Sequence, residues 1–140
     1  MKKKIIITGS DGQLGQALQK AFDNKYELLP TVKKSLKLAK KNRNRCELNV
    51  TDKKSVSDAI KFFNPDIIIN CAAYTDVDGN ELNKDRAHQV NVTGLYNLLE
   101  ASDKNTYFIQ ISSDYVFDGI NGPYDEEDKT YPVNYYGKTK

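Results

Sequence analysis

The segment NYYGKTK, residues 134–140, sets a phenol and an ammonium four positions apart, at Tyr136 and Lys140. On a helix that spacing stacks the two side chains one turn apart on a single face. An unperturbed phenol titrates near roughly 10, and an adjacent cation favours its anion, drawing the value toward working pH. A phenol so placed can hand a proton to a ketone oxygen. Taken alone, Tyr-x-x-x-Lys is as readily a chance pair on a helix surface, so its meaning depends on what precedes it.

A second chemical feature lies near the start of the chain. TGSDGQLG, residues 8–15, spaces Gly9, Gly12 and Gly15 as G-x-x-G-x-x-G, after an apolar run and before a helical pattern. Glycine permits a tight turn and lets backbone amides approach a pyrophosphate lying over a helix N-terminus. The same glycines could serve only a turn and close helix packing, but their place between a first strand and a first helix favours diphosphate binding. In such folds a carboxylate at the end of the second strand commonly holds the ribose 2′-hydroxyl of NAD. The corresponding stretch here, LPTVKK at 29–34, has none. Hydroxyls and lysines at that edge, Thr31 among them, tolerate or attract a 2′-phosphate, so NADPH is expected ahead of NADH.

The elements that must position these groups alternate along the chain. Runs at 3–8, 26–32, 66–70 and 106–112 are rich in β-branched and aromatic residues and read as strands. Between them, 13–22, 52–63 and 81–102 show helical spacing; Val56, Ala59, Ile60 and Phe63 form one stripe, entered through Thr51 or Asp52 as N-cap and ending before Pro65. IIIT and DIIIN are continuously apolar rather than alternating, which implies burial on both faces, as in a parallel sheet covered by helices. The order β-α-β-β-α-β-α-β then predicts an α/β fold, a Rossmann-type doubly wound parallel sheet in three layers. There is no internal repeat or linker, and 1–140 reads as one domain.

Composition excludes several classes. With 39% hydrophobic and 29% charged residues and a net charge of +2, the chain suits a folded soluble domain rather than a disordered one. No apolar stretch approaches the roughly 20 residues of a membrane span. The apolar run 5–7 falls short of the roughly 7–15 residues of an export signal and is read as strand. Cys46 and Cys71 have no C-x-x-C spacing and read as reduced packing residues, which favours a cytoplasmic setting. No metal site is expected, and the lone His88 is assigned no role. The stretch 33–45 carries seven basic residues and no acidic one. It reads first as a solvated surface segment, then as an attractor of a cofactor 2′-phosphate, and last as a nucleic-acid contact; neither nucleic acid nor membrane is expected as a partner.

Taken together the sequence resembles the extended short-chain dehydrogenase/reductase superfamily, and closely the dTDP-4-dehydrorhamnose reductase family. The resemblance is carried in order by TGSDGQLG at 8–15, PDIIINCAAYTDVD at 65–78, VNVTGLYNLL at 90–99, ISSDYVFDG at 111–119, PYDEED at 123–128 and PVNYYGKTK at 132–140. It implies reduction of a 4-keto deoxysugar nucleotide to dTDP-L-rhamnose, with Tyr136 as proton donor, Lys140 as its partner on the nicotinamide ribose, and Ser113 holding the reacting oxygen. Ser113 stands where the family usually has Thr, and Ser112 is separated from it only by alignment on Asp114 and Tyr115. Ser113 and Asp114 are implied to touch the sugar. For the cofactor, the resemblance implies Asp11, Gly12, Gln13 and Leu14 at the pyrophosphate, and Ala72, Ala73, Tyr74 and Thr75 beside the nicotinamide ribose. At adenine the family's Asp-hydrophobic pair is replaced by Asn49 and Val50.

Members of that family continue for about as many residues again, completing the helix that begins at Tyr135 and adding a sugar-nucleotide-binding region. The chain is therefore expected to be an incomplete NAD(P)-binding domain, with an uncovered face that could pair with a second copy. The alternative is a non-catalytic NADP-binding or regulatory module, or an inactive remnant.

Overall fold

The computed structural model describes residues 1–33 and 45–140. The basic stretch 33–45 lies outside the described residues except at its two ends. Chain order runs β1 (Lys4–Thr8), α1 (Gln13–Phe22), β2 (Glu27–Val32), β3 (Cys46–Glu47), α2 (Lys53–Phe63), β4 (Ile67–Asn70), α3 (Val77–Leu82), α4 (Lys84–His88), a π turn (Gln89–Thr93), α5 (Gly94–Ala101), β5 (Tyr107–Gln110), a 3-10 turn (Asp114–Val116) and α6 (Tyr135–Lys138). The five strands form one sheet in the order β3-β2-β1-β4-β5, and every pairing is parallel. This is the doubly wound Rossmann-type order expected from the sequence.

The two-sided burial follows from the period of a strand, whose successive side chains point to opposite faces. Ile6 and Ile68, paired in register across β1 and β4, meet Val56, Ala59, Ile60 and Phe63 of α2 and Leu98 of α5. Ile5, Ile7 and Ile69 point the other way, where the partly buried Leu18 and Phe22 of α1 pack on them. The α2 stripe is the one read from the sequence, and each of its aliphatic or aromatic side chains contributes roughly 1.5–3 kcal/mol on full burial. Of the two candidate caps, Asp52 is the one used: its carboxylate accepts from the amides of Lys54 at 3.0 Å and Ser55 at 3.3 Å. Asn64 ends the helix in the left-handed region, φ 49°, with its amide on the Ile60 carbonyl at 2.8 Å.

The expected single helix over 81–102 is corrected. Asn83 leaves the helical region (φ −136°, ψ 72°), and its side chain accepts from the Arg86 amide at 3.1 Å, so α3 ends and α4 begins there. Asparagine competes with the backbone for hydrogen bonds and so favours a cap over a helix interior. The π turn that follows holds Asn91, a buried polar residue.

Candidate functional site

The carboxyl ends of β1, β2 and β4, the β3–α2 connection and the start of α1 surround one cleft of about 1110 Å³, and α6 closes its far side. Gly12 and Tyr136 both line it. The glycine turn is built by close approach. Gly9 has φ +58°, and a Cβ there would lie 2.9 Å from the Ala72 backbone. A Cβ on Gly15 would lie 2.6 Å from the Gly9 carbonyl oxygen, so α1 can enter the turn only with hydrogen at that position. Gly12 is the N-cap of α1 and offers no side-chain hydrogen bond. The first-turn amides of a helix have no partners within it, so this start presents open N–H groups and the positive end of its dipole to the cleft.

The floor is a polar ladder across the strand ends. The Thr8 hydroxyl donates to Asn70 Oδ1 at 2.5 Å, Asn70 Nδ2 donates to Gln110 Oε1 at 2.7 Å, and the Ala72 amide donates to Thr8 Oγ1 at 3.1 Å. These bonds fix the 71–73 backbone directly over Gly9.

On the far side, Tyr136 is buried, with its ring edge-on to Tyr115 at 5.6 Å. A Cβ on Gly137 would overlap the Tyr115 carbonyl, so glycine sets how closely α6 approaches. Lys140 Nζ sits 6.0 Å from the Tyr136 ring centroid and donates to the Ile111 carbonyl at 2.8 Å. Burial holds its ammonium below the usual lysine range, and charge coupling to Cys71 acts the other way. Burial likewise pushes the Cys71 thiol up.

Most of the residues singled out from the sequence come together here. Gly9, Asp11, Gly12, Gln13, Leu14, Gly15, Asn49, Val50, Ala72, Ala73, Thr75, Tyr136 and Lys140 all line the cleft. Thr31, Tyr74, Ser113 and Asp114 do not line it. Thr31 is wholly buried, its hydroxyl directed to the Ile7 carbonyl, and the neighbouring Lys33 lines the cleft in its place. Tyr74 lies under the guanidinium of Arg86, 4.5 Å from its ring centroid. Ser113 accepts from the Tyr115 amide at 3.3 Å and donates to Asp114 at 3.1 Å, and it is Ser112 that reaches the cleft wall.

Reading the sequence missed the residues that brace the site. Asn91 Oδ1 accepts from the Tyr74 amide at 2.7 Å, and its Nδ2 donates to Thr139 Oγ1 at 2.8 Å. Thr139 in turn donates to the Tyr136 carbonyl at 2.7 Å, and Asn80 Nδ2 reaches the Tyr74 carbonyl at 3.0 Å. One buried amide therefore ties the loop after β4 to the end of α6. The available signal was Asn91 between two valines on a helical face, since a buried polar side chain must find partners.

A protein-family model described as RmlD substrate binding domain matches residues 2–140. A dTDP-4-dehydrorhamnose reductase of Aggregatibacter actinomycetemcomitans is 41% identical over 141 residues, covering 98% of this chain and 44% of that protein. Methionine adenosyltransferase 2 subunit beta of Mus musculus is 40% identical over 139 residues, covering 99% of this chain and 40% of that one. The crystal structure of dTDP-4-dehydrorhamnose reductase from Bacillus anthracis in complex with NADP matches with a TM-score of 0.85 at 37% identity, over 99% of this chain and 46% of that chain. The chain thus spans less than half the length of each.

Proposed function

The chain belongs to the RmlD substrate binding domain family, and on that premise we propose that it is the cofactor-binding half of an NAD(P)H-dependent nucleotide-sugar ketoreductase, reducing dTDP-4-dehydro-L-rhamnose to dTDP-L-rhamnose. The observation that carries the reading is the sharing of one cleft by the open start of α1 and the Tyr136–Lys140 pair. The residues fit a nicotinamide dinucleotide: glycines keep side chains away from the diphosphate position, and the α1 amides are free to donate to its oxygens. On this reading Asn49 and Val50 would hold adenine, Lys33 a 2′-phosphate, and Ala72, Ala73 and Thr75 the nicotinamide ribose. The reduced nicotinamide supplies a hydride to the ketone carbon when bound. Tyr136 supplies the proton to the ketone oxygen, Lys140 holds a positive charge beside the phenol, and a serine hydroxyl holds that oxygen. Ser113 is the serine named by resemblance and Ser112 the one on the cleft wall, so single alanine variants at each decide which acts. Of the described helices none is long and apolar enough to cross a membrane. The reading includes a cytoplasmic setting and pairing with a second copy along the half-exposed face of β5.

A second reading, a non-catalytic NADP-binding or regulatory module, is favoured by the 40% identity to a protein named as a subunit of an unrelated enzyme. Assay of NADPH oxidation with the keto sugar separates the two. The reductase reading expects turnover that Tyr136→Phe lowers by roughly 10²–10⁴ with NADPH affinity retained. Cofactor binding without turnover would leave only the module.

A further inference from the structure

We propose that Glu81 is a positioning residue for Tyr136, an assignment that rests on Tyr136 being the proton donor. The first-turn amides of α6 need partners from outside the helix. Asn134, the residue before it, takes the Gly137 amide at 2.8 Å. The Tyr135 amide is taken by Glu81 Oε1 at 2.6 Å, from α3, 54 residues earlier in the chain. Glu81 Oε2 lies 3.5 Å from Lys84 Nζ, and that ammonium sits 5.4 Å from the centroid of the Tyr135 ring. Tyr135 is therefore gripped at its backbone and at its ring by two residues joined to each other, immediately before the phenol that lines the cleft.

The geometry also says what Glu81 links. α3 is capped by Asp76, whose side chain accepts from the Gly79 amide at 3.0 Å, directly after the 72–75 stretch on the cofactor side of the cleft. α3 and Glu81 thus connect that wall to the start of α6, while Asn91 and Thr139 brace the other end. A carboxylate on a helix-start amide is a charge-assisted bond that also meets the positive end of the helix dipole. The carboxyl of Glu81 accordingly stands below its usual range, first through the Tyr135 amide and then through Lys84 and Lys138. Its ion pair with Lys84 is solvent-exposed and by itself contributes little; the bond to the amide sets the position of α6.

The test compares Glu81→Ala and Glu81→Gln with the unaltered chain by amide hydrogen exchange at Tyr135 and Tyr136, by NADPH affinity, and by kcat and KM on the keto sugar. Glu81→Ala is expected to speed exchange at Tyr135 and lower kcat by about tenfold each, in line with loss of one helix cap, with KM and NADPH affinity within about twofold. Glu81→Gln keeps an acceptor oxygen and is expected to recover most of both losses. Unchanged exchange and unchanged kcat in Glu81→Ala would overturn the assignment. So would a loss of NADPH affinity equal to the loss of kcat, or a glutamine variant no better than alanine. If the unaltered chain does not turn over, the reductase reading fails and the exchange comparison alone decides the role of Glu81.

Discussion

Two helices, α1 and α2, begin at the rim of the same cleft, and they begin in opposite ways. At α2 the Asp52 carboxylate takes the amides of Lys54 and Ser55, so the helix start is closed by the protein itself. At α1 the N-cap is Gly12, extended at φ −70° and ψ 167°, with no side-chain hydrogen bond and no acidic residue in the first turn. A capping side chain contributes roughly 0.5–2 kcal/mol, and a helix start carries about half a positive charge. The chain takes that stability at α2 and forgoes it at α1. What differs is where the partner for the amides comes from: a residue of the chain in one case, an anion from solution in the other. The cleft therefore has a polarity, attractive to phosphate at the glycine turn and already satisfied beside Asp52.

The sharpest challenge to that contrast is Gly9→Ala. A positive φ and a Cβ 2.9 Å from the Ala72 backbone are both imposed at once, and the expected cost is about 3 kcal/mol in denaturant unfolding, with NADPH affinity lost alongside. Next comes Gly12→Asp, which transplants the α2 solution onto α1. The backbone there already suits an N-cap, although the new Cβ would stand 3.3 Å from the Gly9 carbonyl oxygen. NADPH affinity should fall on the order of 100-fold, about 2.7 kcal/mol, while folding stability holds or rises; a titration showing unaltered affinity would break the contrast. Asp52→Ala is the converse. It should lower stability by about 1 kcal/mol and leave NADPH affinity within about twofold in the same titration.

The smallest effect on stability is expected from Lys140→Met, at the opposite side of the cleft. Burial depresses the folded-state value of Lys140 below 10.5. Between that depressed value and 10.5 the unfolded chain binds the extra proton, so this residue adds stability as pH rises through the window and none below it. At pH 7 the methionine variant should match or slightly exceed the unaltered chain, by less than about 1 kcal/mol given partial exposure. Unfolding measured at pH 7 and near 10.5 checks the sign: the difference must shift toward the unaltered chain at the higher pH. A shift the other way would mean that the ammonium is stabilised where it lies.

The open end of the cleft was legible in the sequence because it is made locally. Gly9, Gly12 and Gly15 lie within one turn and one helix start, and their spacing states the geometry directly. The start of α2 was legible for the same reason, down to Thr51 or Asp52 just before an apolar stripe with helical period, and the structure chose Asp52. Thr31 shows where local reading stops. Its place at the end of β2 was correct, but Thr31 is wholly buried with its hydroxyl on the Ile7 carbonyl, and it is Lys33, just past the end of the strand, that lines the cleft. Ser112 and Ser113 are a single step apart, and adjacent residues in extended chain point to opposite sides. The helix over 81–102 failed differently: Asn83 has a competitive local hydrogen bond that hydrophobic period does not register.

By itself the amino-acid order determined the strands, the parallel sheet, the first two helices and the glycine turn, because continuous apolar strands, helical stripes and glycine spacing each encode structure within a few residues. Only the tertiary structure decided how the ends are held together. Asn91 on Thr139 and Glu81 on Tyr135 join residues 48 and 54 positions apart. Such bonds have no period to read. They exist because the parallel crossovers bring α3, the π turn and α6 to one sheet edge, where buried or helix-start polar groups must find partners.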